Sequence, residues 1–426
     1  MPVISELRAL EILDSRGRPT LLATCALGSG VVATASVPSG ASTGTAEALE
    51  LRDRDPKRYR GLGCLTAAGH VSEDIQRVLR GKSFASQAAL DEALIGLDGT
   101  PNKSRLGANA LLAVSLAFAR AHAAEQRIPL YRHFGEMAGA PAARLPRPMI
   151  NLFSGGKHAG GQTAIQDVLI VPTSATTMRQ VLADAYAVYQ SAAELTQRKY
   201  DARPLKADEG GLAPPFVDEE AMLQDAVEAI RLAGLEPGRD VALAVDVASS
   251  HFYENGVYAM GRERLSGEAM VDKLIRWTQT YPLVSVEDGL AEEDWPHWAL
   301  LRQRQAGRAL TLGDDLLCTN PGRIQAAIAA GAADALLLKV NQIGTLTEAL
   351  EASALARAAG WQVVVSARSG ETEDNWLADL AVGWAGDYIK IGSITQSERL
   401  AKYNRLLVIE EETGFAVAAP NQVVLS

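Results

Sequence analysis

The chain has 426 residues, 47% of them hydrophobic and 22% charged, with a formal net charge of −10. That length exceeds one small domain and suits a barrel with a smaller partner, while the acidic balance excludes a basic face for nucleic acid. Cys25, Cys64 and Cys318 lie far apart in sequence and form no metal-type pair, as expected of reduced thiols in a cytoplasmic protein. No basic region followed by an apolar one opens the sequence, so secretion is not expected.

In chain order, the first 37 residues read as a β-meander. "ISELRALEIL" meets the turn "DSRGRP", then "TLLATCAL", "GSG" and "VVATASV" follow. "PSGASTGTAEALE" comes next, rich in Gly and Ser. Such loops often act as lids, so 36–45 is a candidate mobile lid ahead of a helical stretch. Helical patterns run to about residue 134. Within them "ALLAVSLAFA" is half the length of a membrane span and runs into Arg120. It reads as a buried helix, and no membrane partner is expected. "GEMAGAPAARLPRP" is the best linker candidate.

From about residue 148, short apolar strands alternate with helices. Six of those strands run into a polar residue: Asp246, Glu287, Asp314, Lys339, Arg368 and Lys390. After the first gap these residues recur every 22 to 29 positions, one strand and one helix per unit. One helix is well marked, with Asn320 as N-cap, Pro321 in the first turn and Gly331 past the end. Regular βα units with near-continuous apolar strands indicate a parallel barrel, whose C-terminal strand ends share one mouth.

An acid after a strand is often only the cap of the next helix. Three acids in register are harder to dismiss, because bare carboxylates at one mouth repel. A hard divalent cation resolves this, and an all-oxygen set without Cys or His favours Mg²⁺. A lysine facing such a cation has its pKa lowered into the range of a general base. Lysine plus magnesium suits removal of a proton α to a carboxylate. The bland reading makes Lys339 a salt-bridge partner of the acids.

The segments "EILDSRG", "VPSGASTG", "EALELRD", "LDGTPNKSRLGANA", "DEGG", "DVASSHFY", "LGDDL", "LLLKVNQIGTLTE", "RSGETED" and "SERLAKYN" together resemble the enolase family, in its order and over nearly the whole chain. The resemblance implies an α/β fold: an N-terminal α+β capping domain (1–134) on a C-terminal modified (β/α)8 TIM-type barrel (148–426) with an early antiparallel portion. It also implies a homodimer or higher homo-oligomer acting on a small phospho- or phosphono-acid. Carried over by position, Asp246, Glu287 and Asp314 would hold the structural Mg²⁺. Lys339 would be the base and Glu209 the acid that protonates the departing hydroxyl. Lys390 would grip the substrate carboxylate, and Arg368 and Ser369 the phosphate. His158 would stand beside the substrate. Ser39 would close over the site and help bind a second Mg²⁺ that arrives with substrate.

The chain departs from the family pattern close to the substrate. Ala367 stands where the family has His, Asp167 where it has Glu, and Gly289 where it has Pro, while "GSITQSER" replaces a Gly-Ala-Pro segment. Asp167 would support Glu209 by hydrogen bonding. Replacing imidazole with methyl removes a donor and opens space by the phosphate subsite. The reading favoured is therefore a paralogue: the same Mg²⁺-dependent dehydration on a bulkier acid, resembling carboxyphosphonoenolpyruvate synthases of phosphonate biosynthesis. An ordinary enolase acting on 2-phosphoglycerate and a non-catalytic scaffold are the alternatives.

Overall fold

A computed structural model describes residues 1–41 and 44–420. Ser42 and Thr43 of the expected lid, and the last six residues of the expected barrel domain, lie outside the described residues. The meander forms as expected. Strands β1 (Ile4–Leu13), β2 (Pro19–Leu27) and β3 (Val32–Ser36) make an antiparallel sheet in that order. The helical stretch expected after the Gly/Ser loop does not follow it directly, and the first α-helix begins at Leu65. Residues 46–58 are irregular, and their backbone is satisfied at long range, Ala48 by Gln342 O and Leu49 by Asn102 O. The tertiary partners outbid helix formation.

"ALLAVSLAFA" is part of the helix Ala108–Gln126, whose central residues are fully buried. No helix among the described residues is long and apolar enough to cross a membrane. The candidate linker is partly helical, since Gly135–Met137 close the helix Leu130–Met137. Its far end is pinned by Arg147, whose buried guanidinium donates to the carbonyls of Ala418 (2.9 Å), Ala175 (3.0 Å) and Pro172.

The remaining strands are β4 (Arg147–Ser154), β5 (Asp167–Pro172), β6 (Val241–Asp246), the short hairpin β7 (Tyr253–Glu254) and β8 (Val257–Tyr258), then β9 (Leu283–Glu287), β10 (Leu310–Gly313), β11 (Ala335–Leu338), β12 (Gln362–Ser366) and β13 (Tyr388–Gly392). Eight of them close a barrel in the order β10-β11-β12-β13-β4-β5-β6-β9. It is not wholly parallel, because β5 runs against both β4 and β6. The helix after β10 is capped as expected, Asn320 accepting from the amides of Gly322 and Arg323 before Pro321, with Gly331 left-handed past its end.

The barrel is filled by Met149, Leu169, Val171, Ala242, Ala244, Leu310, Leu312, Ala335, Leu337, Val364 and Tyr388 among others. Side chains alternate along a strand, so the inward residues one step higher follow from this layer. They are Asn151 on β4, Asp167 on β5, Asp246 on β6, Ser366 on β12 and Lys390 on β13, with Asp314 and Lys339 just past β10 and β11. Strand β9 reaches the same level by an irregularity. Leu283 pairs with Leu243, but Ser285 pairs with Ala244, so Val284 is one residue too many. That extra residue turns Glu287 inward beside Asp246.

Candidate active site

Asp246 pairs in register with both Asp167 and Glu287, which sets three carboxyl groups side by side at one level of the barrel. All are buried. Lys390 stands among them, inside β13 rather than at its end. Its ammonium donates to Asp246 Oδ2 at 2.8 Å and to Glu287 at 2.7 and 2.8 Å. Burial pushes the lysine down, but Asp246 and Glu287 outweigh it and hold Lys390 well above its ordinary range. Burial pushes Asp246 up, yet Lys390 brings it to about 2. Glu287 ends far above the carboxylate range, driven by burial and then by the Asp246 charge.

Lys339 forms an ion pair with Asp314, which also accepts from Gln342 Nε2 at 2.9 Å. Burial would lower the lysine, but Asp314 prevails and its pKa is raised. The lowering expected of a lysine base is therefore not present in this arrangement, and both lysines are salt-bridged to the acids. Among the described residues, the acid-rich sets whose ligand atoms all lie within 4.8 Å are Asp288–Asp314–Asp315 and His158–Asp167–Glu209. Asp246 and Glu287 belong to neither, with the Lys390 ammonium between them.

The donors nevertheless suit a hard cation: buried carboxylates with no sulfur, beside Gln166 Oε1, a buried oxygen with no hydrogen-bond partner. Gln166 also donates to Asp246 at 3.2 Å. Ser39 fits less well. Its hydroxyl accepts from Arg52 at 2.7 Å and its carbonyl accepts from Arg16 at 2.9 Å, so two guanidinium groups stand where a cation would. Its segment is also clamped onto the barrel by reciprocal backbone bonds between Ser39 and Gly370.

Glu209 comes in on the turn before Leu212. Gly210 has φ 87°, and a Cβ there would stand 2.5 Å from Thr395 Oγ1, so only glycine lets the turn close against the β13 loop. The amide of Ser393 donates to Glu209 O at 2.8 Å, so the divergent "GSITQSER" segment braces the Glu209 backbone. The Glu209 carboxylate accepts from Asn151 at 3.0 Å. Asp167 makes no hydrogen bond to it, contrary to expectation. The shorter Asp167 accepts instead from Ser154 Oγ at 2.5 Å and pairs with His158 Nδ1 at 2.8 Å. His158 Nε2 lies 3.9 Å from Glu209 Oε1, so the two acids communicate through the imidazole. Burial disfavours its cation, but Asp167 and Glu209 raise His158 to about 9. Burial would raise Glu209, and His158 overcomes this and lowers it.

Arg368 donates to Glu47 at 3.2 Å and to Asn341 at 3.1 Å. Ser369 Oγ accepts from the Ala41 amide at 2.9 Å and from Arg16 at 3.1 Å. Ala367 lines one cavity with His158, Gln166, Glu209, Asp246, Lys339, Arg368, Ser369 and Lys390. That cavity is about 20 Å³, room for roughly one water. The space expected at Ala367 is not an open hollow in this conformation.

Sequence reasoning missed several supporting residues. Asp288 accepts from the amides of Asp314 and Asp315 at 2.9 and 2.8 Å and so aims Asp314. Fully buried Arg399 ties the loop after β12 to strand β13 through the carbonyls of Arg368, Ser369 and Ile391. Asp288 directly follows Glu287 and Arg399 lies in "SERLAKYN", but nothing local distinguished them from surface charge. At Gly289 a Cβ would meet Leu274 Cδ1 at 2.9 Å, so the residue replacing the family's proline is packed tightly.

Two family models match. Residues 4–134 match the one described as enolase, N-terminal domain, and residues 142–422 the one described as enolase, C-terminal TIM barrel domain.

Proposed function

The chain belongs to the enolase family, as an enolase-type hydro-lyase, and from that premise we propose that it eliminates water from a 2-phosphoglycerate-type acid to give an enolpyruvate product. One observation carries the reading: Lys339 and Glu209 line the same cavity as Asp246, Lys390, Arg368 and Ser369. Lys339 takes the proton from C2 of the substrate. Glu209 gives a proton to the hydroxyl leaving C3, and the electron pair of the broken C–H bond becomes the new C=C bond. The charged His158 ring, 3.9 Å from Glu209, is the proton source for that acid. Asp167 keeps His158 charged and oriented. Lys390 binds the substrate carboxylate, while Arg368 and Ser369 bind the phosphorus group.

Asp246, Glu287 and Asp314 would hold Mg²⁺, which when bound neutralises the acids that keep Lys339 protonated and withdraws charge from the reacting carboxylate. A second ion taken by Ser39 would require Arg16 and Arg52 to release it. In the proposal, 1–134 caps the barrel of 148–426, 36–45 acts as a lid, and the chain assembles as a homodimer or larger homo-oligomer.

The favoured substrate carries a larger phosphorus group than 2-phosphoglycerate, as a carboxyphosphono analogue does. Its support is the methyl of Ala367 beside Arg368 and Ser369 where the family has an imidazole. The small cavity favours the second reading, 2-phosphoglycerate itself. Enolpyruvate formation from each acid by the purified chain, with Mg²⁺ and with chelator, separates the two. Chelator-sensitive turnover of the analogue alone supports the larger substrate, turnover of 2-phosphoglycerate alone the second reading, and neither overturns both.

A further inference from the structure

At the junction of the helices Ala108–Gln126 and Leu130–Met137, outside the barrel strands, His122 and His133 face each other. Their ring centroids are 5.0 Å apart and their planes are inclined at 67°. His133 Nδ1 lies 3.3 Å from Oε1 of Gln126. A carbonyl oxygen only accepts, so Nδ1 carries the proton and the lone pair falls on Nε2. That Nε2 is buried and has no hydrogen-bond partner, and the same is true of His122 Nδ1. Two imidazole nitrogens are thus withdrawn from water at one place with nothing to bind.

We propose that His122 and His133 form a second metal site, for an imidazole-preferring divalent cation of the Zn²⁺ type. Two imidazoles sharing a tetrahedral ion at about 2.1 Å per nitrogen leave their ring centres roughly 5 Å apart, as here. Gln126 supplies the outer contact that fixes the tautomer of a ligating histidine. Glu125 and Glu136 each follow a histidine by three residues, one turn along the same helix, and the charges of both act on His122. Water completes the shell, and the two carboxylates add negative charge around it. The site is lined on its apolar side by Phe118, 5.7 Å from the His122 ring, and Phe134, 6.4 Å from the His133 ring. Burial lowers both histidines, His133 to about 4, so they stand neutral at pH 7, the form that ligates. Nitrogen donors in an apolar setting select a different ion from the carboxylates of the barrel.

The test is a calorimetric titration of the full chain with Zn²⁺ in millimolar Mg²⁺, which keeps the barrel carboxylates engaged. The wild type should take up one more Zn²⁺ per chain than His122→Gln, a change at a half-buried position. Gln126→Ala, at an exposed position, should weaken that binding about ten- to a hundredfold. Co²⁺ should give the intense visible absorption of a tetrahedral nitrogen-bearing site in the wild type and not in His122→Gln. Equal Zn²⁺ stoichiometry and affinity in the wild type and a folded His122→Gln would overturn the site and reduce the pair to ring packing.

Discussion

The barrel mouth and the junction of the helices Ala108–Gln126 and Leu130–Met137 both bury a histidine, and they treat it in opposite ways. His158 sits between Asp167 and Glu209, and their charges overcome burial and raise it to about 9. His133 sits among aromatic rings with no carboxylate bonded to it, and burial, helped by His122, takes it to about 4. At pH 7 one ring is held as a cation and the other as a neutral base. Burial is common to both, so the neighbours decide the charge, and the charge decides the chemistry each place can do.

The largest effect expected concerns the charged region. Lys339→Ala should cut turnover about a hundred- to ten-thousandfold while substrate binding, followed by calorimetry, is largely kept. An active variant would remove Lys339 as the base. Lys390→Met should come next. It strands Asp246 and Glu287 without their shared cation and should cost about 3–5 kcal/mol in chemical denaturation with chelator present. Added Mg²⁺ should restore part of that loss in the variant, and an unchanged denaturation curve would show that the carboxylates do not take the ion.

A pH series sharpens the contrast between the histidines. His158 is raised from an ordinary value of 6.5 to about 9, so its contribution is complete below 6.5 and is lost as pH rises through 9. That limb should be about 3 kcal/mol and disappear in His158→Gln. His133 is lowered from 6.5 to about 4, so its contribution is complete above 6.5 and is lost as pH falls through 4. That limb should disappear in His133→Phe. Urea unfolding from pH 4 to 10 in chelator reads both, and a variant that removed the wrong limb would break the comparison. The smallest effect is expected for Ala367→His. It should lower kcat/KM for the carboxyphosphono analogue about tenfold and leave 2-phosphoglycerate nearly unaffected.

Much of the fold was legible because local signals agreed with it. The alternation of β1 to β3, the Asn320–Pro321 cap and the spacing of Asp314, Lys339 and Arg368 each follow from short-range chemistry. The helical stretch expected after "PSGASTGTAEALE" starts late, because the backbone there takes its hydrogen bonds from Asn102 and Gln342. In the site, acids and lysines announced themselves as unusual ends to apolar strands. Asp288 and Arg399 did not, since their work is done on backbone groups distant in sequence.

Residue order alone carries the family resemblance in its matching segments, and strand period and unit spacing, which are local properties, carry the α/β class and the charges at one mouth. How those charges are shared depends on the closed barrel. The extra residue Val284 turns Glu287 toward Asp246, Asp167 reaches His158 rather than Glu209, and Lys390 bridges the two acids. Register shifts, the reach of one methylene and the balance of buried charges depend on atoms brought together by closing the barrel.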